Sequence, residues 1–242
     1  MDEQSPSDAP SARELKKDYR EQKQSRIKKF RALRWGLAGM ILVAAGLGLW
    51  WFYGNSIDQQ PGDSGILGLT ENEWIHGNSE AAVTLVEYAD FQCPACGAYY
   101  PWIKNLEQDF PDKLAVVFRH FPLSAIHFNA LPAARAAESA GQQGKFWEMH
   151  DMIFENQQEW STSSDIESIF KRYAEQLGVN VEQFLIDYNG KSFDAKIKND
   201  LKSGEAAGVS GTPTFFLNGA KINNPRGYEE FRNLIEQAAI KQ

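Results

Sequence analysis

VTLVEYADFQCPAC, residues 83–96, is the stretch whose reading decides the fold. Val83, Thr84, Leu85 and Val86 are β-branched or apolar and predict a buried strand. A short turn, Ala89-Asp90-Phe91-Gln92, leads to Cys93-Pro94-Ala95-Cys96. An amphipathic helix follows, with Tyr99, Trp102, Ile103, Leu106 and Phe110 along one face. A strand, a tight turn and a Cys-x-x-Cys at a helix start have a physical logic. Unsatisfied N–H groups and the helix dipole favour a thiolate on the first cysteine. The second, three residues on, shares its face and lies within reach of a disulfide. Pro94 suits the first helical position, where a missing N–H costs nothing.

A Cys-x-x-Cys has three readings: half of a zinc site, a structural bridge, or a redox pair. Cys93 and Cys96 are the only cysteines in the chain, and no second Cys-x-x-Cys or His-x-x-x-His completes a zinc tetrad. The histidines, His76, His120, His127 and His150, are scattered, none at ligand spacing. A bridge closing so short a loop also stabilises little. Redox chemistry is the favoured reading, with the other two left open.

Charge is unevenly placed along the 242 residues. The chain up to Arg34 carries net +4 and the remainder net −11. An acidic folded part argues against nucleic acid as a partner, and a well-solvated surface accounts for it. Between the two lies Trp35 to Tyr53 (WGLAGMILVAAGLGLWWFY), uncharged, long enough to cross a bilayer and bracketed by aromatic residues. Basic residues crowd its N-terminal side, whereas Asp58 and Asp63 follow it. A single-pass anchor is therefore expected, with the N-terminus cytoplasmic and the rest extracytoplasmic, in a periplasm or at a cell surface. The rival, a cleaved signal peptide, fits less well because no A-x-A site follows Tyr53. Disulfide chemistry belongs outside the cytoplasm, so address and cysteines agree.

The expected organisation is a basic cytoplasmic segment at 1–34, an anchor at 35–53, a polar linker at 54–73 and one folded domain at 74–242. The end of the linker and the start of the domain, Ile66 to Glu80, lead in along the domain edge, and strands are expected at 82–88 and 114–121. Pro101 stands inside the helix expected at 94–110 and should kink it, freeing the carbonyl of Gly97. From Asn129 to about Ala207 the pattern is helical. Ser164 and Glu167 predict a capping box before one helix and Gly178 its end; Asn180 predicts the cap of the next. Strands return at Thr214–Leu217 and Ala220–Ile222 around Asn218-Gly219, a type I′ hairpin signal. A last helix is expected from Tyr228. The order, β-α-β, helical block, β-β-α, predicts an α/β unit interrupted by an inserted helical subdomain, about 125–207.

That order, with His76-Gly77-Asn78, Glu87, Asp90 to Cys96, His127, Asn129-Ala130, Gly144-Lys145-Phe146-Trp147 and Gly208 to Asn218, resembles the thioredoxin superfamily. Within it the chain is most similar to the DsbA-like branch, which includes membrane-anchored thiol–disulfide oxidoreductases of the BdbD type. The resemblance implies a thioredoxin-like fold with a helical insertion. It implies that Cys93 is the attacking and attacked sulfur and Cys96 the resolving one. It implies that the Thr212–Pro213 bond is cis and lies beside the disulfide, with the Thr212 backbone pairing with substrate. It also implies a buried acid at Glu87 that exchanges a proton with Cys96; the plainer reading is a strand-end carboxylate reaching water. No cofactor or metal is expected beyond the cysteine pair.

The activity so implied is introduction of disulfides into exported proteins, with reoxidation by a quinone-linked membrane protein of the DsbB or VKOR kind. Pro94-Ala95 lacks the histidine of the strongly oxidising Pro-His version. The alternatives are a membrane-anchored reductase or isomerase, and a thioredoxin-fold chaperone or binding module that uses its cysteines little.

Overall fold

The computed structural model of the chain describes residues 72–240. The expected basic segment at 1–34, the anchor at 35–53 and nearly all of the linker lie outside the described residues. Among the described residues, no helix is long and apolar enough to cross a membrane.

Strand β2 (Val83–Ala89) is apolar on both faces, and the fold buries both by placing it at the centre of a five-stranded sheet. The order is β1-β3-β2-β4-β5, with β1 Trp74–Gly77, β3 Leu114–His120, β4 Thr214–Leu217 and β5 Ala220–Lys221. β2 and β3 run parallel, Val83 opposite Leu114 through Ala89 opposite His120. A parallel pair needs a crossover, and helix α1 (Pro94–Asp109) supplies it, running on past Pro101. β4 lies antiparallel on the other side of β2, with Glu87 opposite Phe215.

Side chains alternate as the pleat requires. Val83 and Leu85 pack against Ile103 and Leu106 of α1, and against Phe231 and Ile235 of the C-terminal helix α8 (Tyr228–Ile240). Val86 and Tyr88 point the other way, into Val117, Phe121, Val209 and Phe216. Each such buried side chain contributes about 2 kcal/mol, and a slip of one residue would send both sets to the wrong face. The register is thereby fixed, and with it the place where β2 delivers the turn at 90–92.

Between β3 and β4 come six helices: α2 (Ala130–Gly141), α3 (Phe146–Glu155), α4 (Gln157–Trp160), α5 (Ile166–Gln176), α6 (Val181–Gly190) and α7 (Asp194–Ala206). The chain thus has a thioredoxin-like α/β fold with a helical insertion. Alanines at 133, 134, 136, 137 and 140 are buried along α2 and let its neighbours come close. Trp74 of β1 stacks on Phe146 of α3 at 4.3 Å. Asn180 caps α6 by accepting from the Gln183 amide at 3.0 Å. Asn218 and Gly219 both take positive φ, 48° and 82°, as a type I′ turn demands. The Asn218 side chain also accepts from the Thr84 amide, adding a rung beyond β4.

Two expectations are corrected. The capping box at Ser164 and Glu167 does not form. Asp165 is the N-cap of α5 and makes no side-chain cap bond, while Ser163 Oγ accepts from the Asp165 amide at 3.0 Å. Starting one residue late puts Glu167 second in the helix, where it cannot reach back to the cap amide. The lead-in before β2 is a true strand, β1, paired antiparallel with β3.

The insertion is tied to the sheet by a buried polar network. Glu138 of α2 accepts from Trp74 Nε1 at 2.8 Å and Lys196 Nζ at 2.6 Å, and pairs with His120 Nε2 at 2.8 Å. Burial works against its charge, but His120 and Lys196 outweigh that and hold it below the usual carboxylate range. His120, Glu138 and Asp200 bring ligand-type atoms within 4.8 Å of one another. The Lys196 ammonium, also 3.4 Å from Asp200, already serves as their cation. On the opposite face Arg119 forks onto Glu73 and donates to Tyr88 Oη at 2.8 Å.

Candidate functional site

Cys93 occupies the N-cap of α1 with extended backbone, φ −69° and ψ 120°, and Pro94 begins the helix. That geometry turns the sulfur toward the amides of Ala95 and Cys96. Cys93 is 7% exposed and Cys96 fully buried, whereas Pro94 and Ala95 face solvent. Both thiols are free. Cys93 Sγ lies 3.4 Å from the Thr212 carbonyl, across 119 residues of chain, and the Thr212–Pro213 bond is cis. The fold therefore brings together Cys93, Cys96, Thr212 and Pro213.

The two thiols differ sharply. A hydrogen bond from the Cys96 thiol lowers the Cys93 pKa to about 5; against burial, it is helped by the Thr212 side chain and by the Cys96 and Ala95 amides. A value so far below an ordinary thiol leaves Cys93 mostly thiolate at pH 7, which favours the reduced form over the disulfide. Cys96 moves the other way, well above its ordinary value: burial comes first, then the bond it gives Cys93, then the charge of Glu87.

Glu87 lies on β2 between Phe118 and Phe215 on the neighbouring strands and is 3% exposed. Its Oε1 has no hydrogen-bond partner among the described residues. Burial, reinforced by the charges of Glu107 and Cys93, pushes its pKa up to about 8. The carboxyl is thus mostly protonated at neutral pH, within electrostatic reach of both thiols. It does not extend into water as a strand-end carboxylate.

Several contacts that shape the site escaped sequence reasoning. Gln157 of α4 donates through Nε2 to the carbonyls of Phe91 at 2.7 Å and Cys93 at 2.9 Å. Gln92 donates to the Ser161 carbonyl at 2.7 Å and accepts from the Asn129 amide at 2.7 Å. The insertion thereby grips the turn that carries Cys93. Gly97 leaves room for that grip, since a Cβ there would lie 2.8 Å from Gln157 Oε1. Asp90 accepts from the Gln92 amide at 2.7 Å and the Leu123 amide at 2.8 Å, and pairs with His127 at 2.7 Å. Only Asp90 carried a local signal, an Asx-type turn ahead of a helix. Its bonds tie the loop after β3 to the turn at 90–92, and in that loop Ile126 and Phe128 stand 72% and 63% exposed.

The model of a protein family described as Thioredoxin matches residues 69–237. Among curated proteins, a Na(+)/H(+) antiporter NhaA 3 of Salinispora tropica is 38% identical over 168 residues, 69% of this chain. The chain spans about a quarter of that relative's length, 25%. Among solved structures, oxidised BdbD from Bacillus subtilis superposes with a TM-score of 0.63 at 22% identity, covering 69% of this chain and 93% of that one. α-DsbA1 of Wolbachia pipientis gives a TM-score of 0.64 at 23% identity, covering 72% and 94%.

Proposed function

The chain belongs to the thioredoxin family and has its DsbA-like fold, and from that premise we propose that it is an extracytoplasmic thiol–disulfide oxidoreductase that introduces disulfides into exported proteins. The observation that carries this reading is the asymmetry of the pair. Cys93 is a stable thiolate at the helix start, while Cys96 is a buried thiol beside a protonated acid.

In the oxidised protein a substrate thiolate attacks Cys93 Sγ, and the Cys93–Cys96 bond breaks. The Cys96 sulfur leaves with the electron pair and takes a proton from the Glu87 carboxyl. A second substrate thiolate then attacks the substrate sulfur of the mixed disulfide, and Cys93 departs as a thiolate. The substrate loses two electrons and the cysteine pair gains them. The low Cys93 pKa makes that departure favourable and stabilises the reduced protein, which is what makes a disulfide oxidising. Thr212, whose carbonyl lies beside Cys93, offers backbone to an extended substrate strand. The exposed Ile126 and Phe128, in the loop after β3, suit contact with an unfolded polypeptide.

The address is read from the sequence alone: the apolar run at 35–53, with basic residues before it, supports a domain outside the cytoplasm. Reoxidation then falls to a quinone-linked membrane protein. The test is the reduction potential of the purified full-length chain in glutathione buffers. A value near ~−120 mV marks a disulfide donor, and one near ~−270 mV a reductase. A pair that strong dithiol leaves intact would be a structural bridge and would overturn the reading.

A further inference from the structure

Thr212 reaches the Cys93 sulfur from a segment that regular structure does not hold. Gly211, Thr212 and Pro213 lie between α7 and β4, outside any helix or strand. Yet the Thr212 carbonyl stands 3.4 Å from Cys93 Sγ. The Thr212 hydroxyl is buried with no oxygen or nitrogen partner among the described residues. That leaves it to the Cys93 sulfur, whose pKa the Thr212 side chain helps to lower. Both contacts depend on the spacing between this loop and α1, and the sheet fixes only its end, where Thr214 pairs with Tyr88.

Two side-chain bonds hold the rest of the loop. Thr214 Oγ1 donates to the Gly211 carbonyl at 2.7 Å, closing the turn locally. Asn224 Nδ2 donates to the Pro213 carbonyl at 2.8 Å. Asn224 belongs to another segment, residues 222–227, which runs without regular structure from β5 to α8. That segment is held in turn from α1, where Tyr99 Oη donates to the Pro225 carbonyl at 2.5 Å, across 126 residues of chain. Pro225 is buried and its ring fixes φ, so the segment is stiff where the tyrosine meets it. At its far end the Arg226 amide donates to Glu230 Oε2 at 2.8 Å, joining it to α8. The Tyr99 ring packs against Phe215 at 5.3 Å and Phe231 at 6.4 Å, so ring and hydroxyl have separate tasks. Burial, then the charge of Glu230, pushes the Tyr99 pKa up and keeps the hydroxyl a donor. The contacts close a circuit from α1 through Tyr99, Pro225, Asn224 and Pro213 to Thr212, and back to α1 at Cys93.

We propose that Tyr99 and Asn224 are positioning residues for the exchange reaction: with residues 222–227 they form a strap from α1 that sets the spacing between the Thr212–Pro213 loop and the Cys93 sulfur. The inference rests on the proposed function and deepens it. A substrate strand laid along the Thr212 backbone brings its thiolate in line with Cys93 only while that spacing holds. A slack loop delivers an extended chain out of line, whereas a small thiol, which needs no backbone pairing, still attacks.

The experiment gives the oxidised full-length protein two reductants, an extended peptide carrying two cysteines and dithiothreitol. Each dithiol loses two electrons and closes to a disulfide as the Cys93–Cys96 bond takes them up, and acid quenching with thiol alkylation reports the rate. Tyr99→Phe removes one hydroxyl and Asn224→Leu one donor. Either should slow the peptide reaction about tenfold, since a misplacement of about 1 Å can cost about a hundredfold. The dithiothreitol reaction should slow by no more than about twofold. In reduced protein the Cys93 midpoint, read from thiolate absorbance, should rise by about half a unit as the Thr212 hydroxyl draws away. The double variant should be no slower than the slower single one, because both cut the same strap. Native rates and a native midpoint in the folded single variants overturn the proposal, as does equal slowing with both dithiols or effects that multiply in the double variant. Each comparison is made against native protein whatever its potential. Failure here is therefore distinct from an unfavourable reduction potential, which would instead remove the oxidase reading.

Discussion

Replacing Cys96 by alanine isolates the cause of the low Cys93 pKa. The largest contribution to it is the hydrogen bond from the Cys96 thiol, ahead of the Thr212 side chain and the helix amides. A hydrogen bond to a charged group contributes about 1.5–3 kcal/mol, which is ~1–2 pKa units at 1.36 kcal/mol each. Cys96→Ala should therefore raise the Cys93 midpoint from about 5 to ~6–7. The assay is thiolate absorbance near ~240 nm against pH, read directly because the variant holds a single thiol. Cys96→Ser, which keeps a donor in place, should stay close to the native value. The sign also shows in stability. A depressed thiol pKa favours the folded dithiol protein at pH values above the ordinary thiol range, and that gain is lost as pH falls through about 5. A Cys96→Ala midpoint still near 5 would refute the reasoning and assign the whole effect to the helix start and Thr212.

Glu87→Gln should flatten the pH dependence of stability. The native carboxyl pKa is raised to about 8 by burial, so its contribution is present below the unfolded value and lost as pH rises toward 8, about 3 kcal/mol between pH 5 and 7.5. Urea melts at both pH values check this, and parallel losses in the two proteins would contradict it. Gly141→Ala should destabilise by about 1–3 kcal/mol, because its Cβ would sit 2.5 Å from the rigid Trp74 ring; a thermal melt unchanged from native would count against the packing described. Gln157→Ala removes both bonds to the active-site turn and should cost about 1–3 kcal/mol. Faster amide exchange at Cys93 and Gly97 than in native protein is the expected signature, and unchanged exchange would show that the turn holds itself.

The strand at 83–89, the helix after Cys93, the helical block and the hairpin at Asn218-Gly219 were all legible because their signals are local. Each is a periodicity, a cap or a turn residue within a few positions. The bringing together of Cys93 with Thr212 and Pro213 needed the family resemblance, since on its own Gly211-Thr212-Pro213 reads as an ordinary turn. β1 was read only as an edge segment: four residues with no clean alternation do not announce a strand. The grip of Gln157 on the Cys93 carbonyl and the Glu138 network were invisible, because their partners lie 64 residues apart in the first case and 18 to 64 in the second. Glutamine and glutamate at those positions look like any solvated helix residue until the chain is folded.

The bonds from Gln92 and Gln157 make the helical block a poor candidate for transplantation. A block taken from a relative with a different residue at 157, or a different backbone path at 161, would cost the Cys93 carbonyl its side-chain donor and the Gln92 side-chain amide its acceptor, however well its apolar face fitted the sheet. Chimaeras built at the obvious seams after β3 and before β4 should therefore fold and still carry a misplaced nucleophile. Exchange between such proteins succeeds only when the reactive turn and the block that holds it travel as one heritable unit.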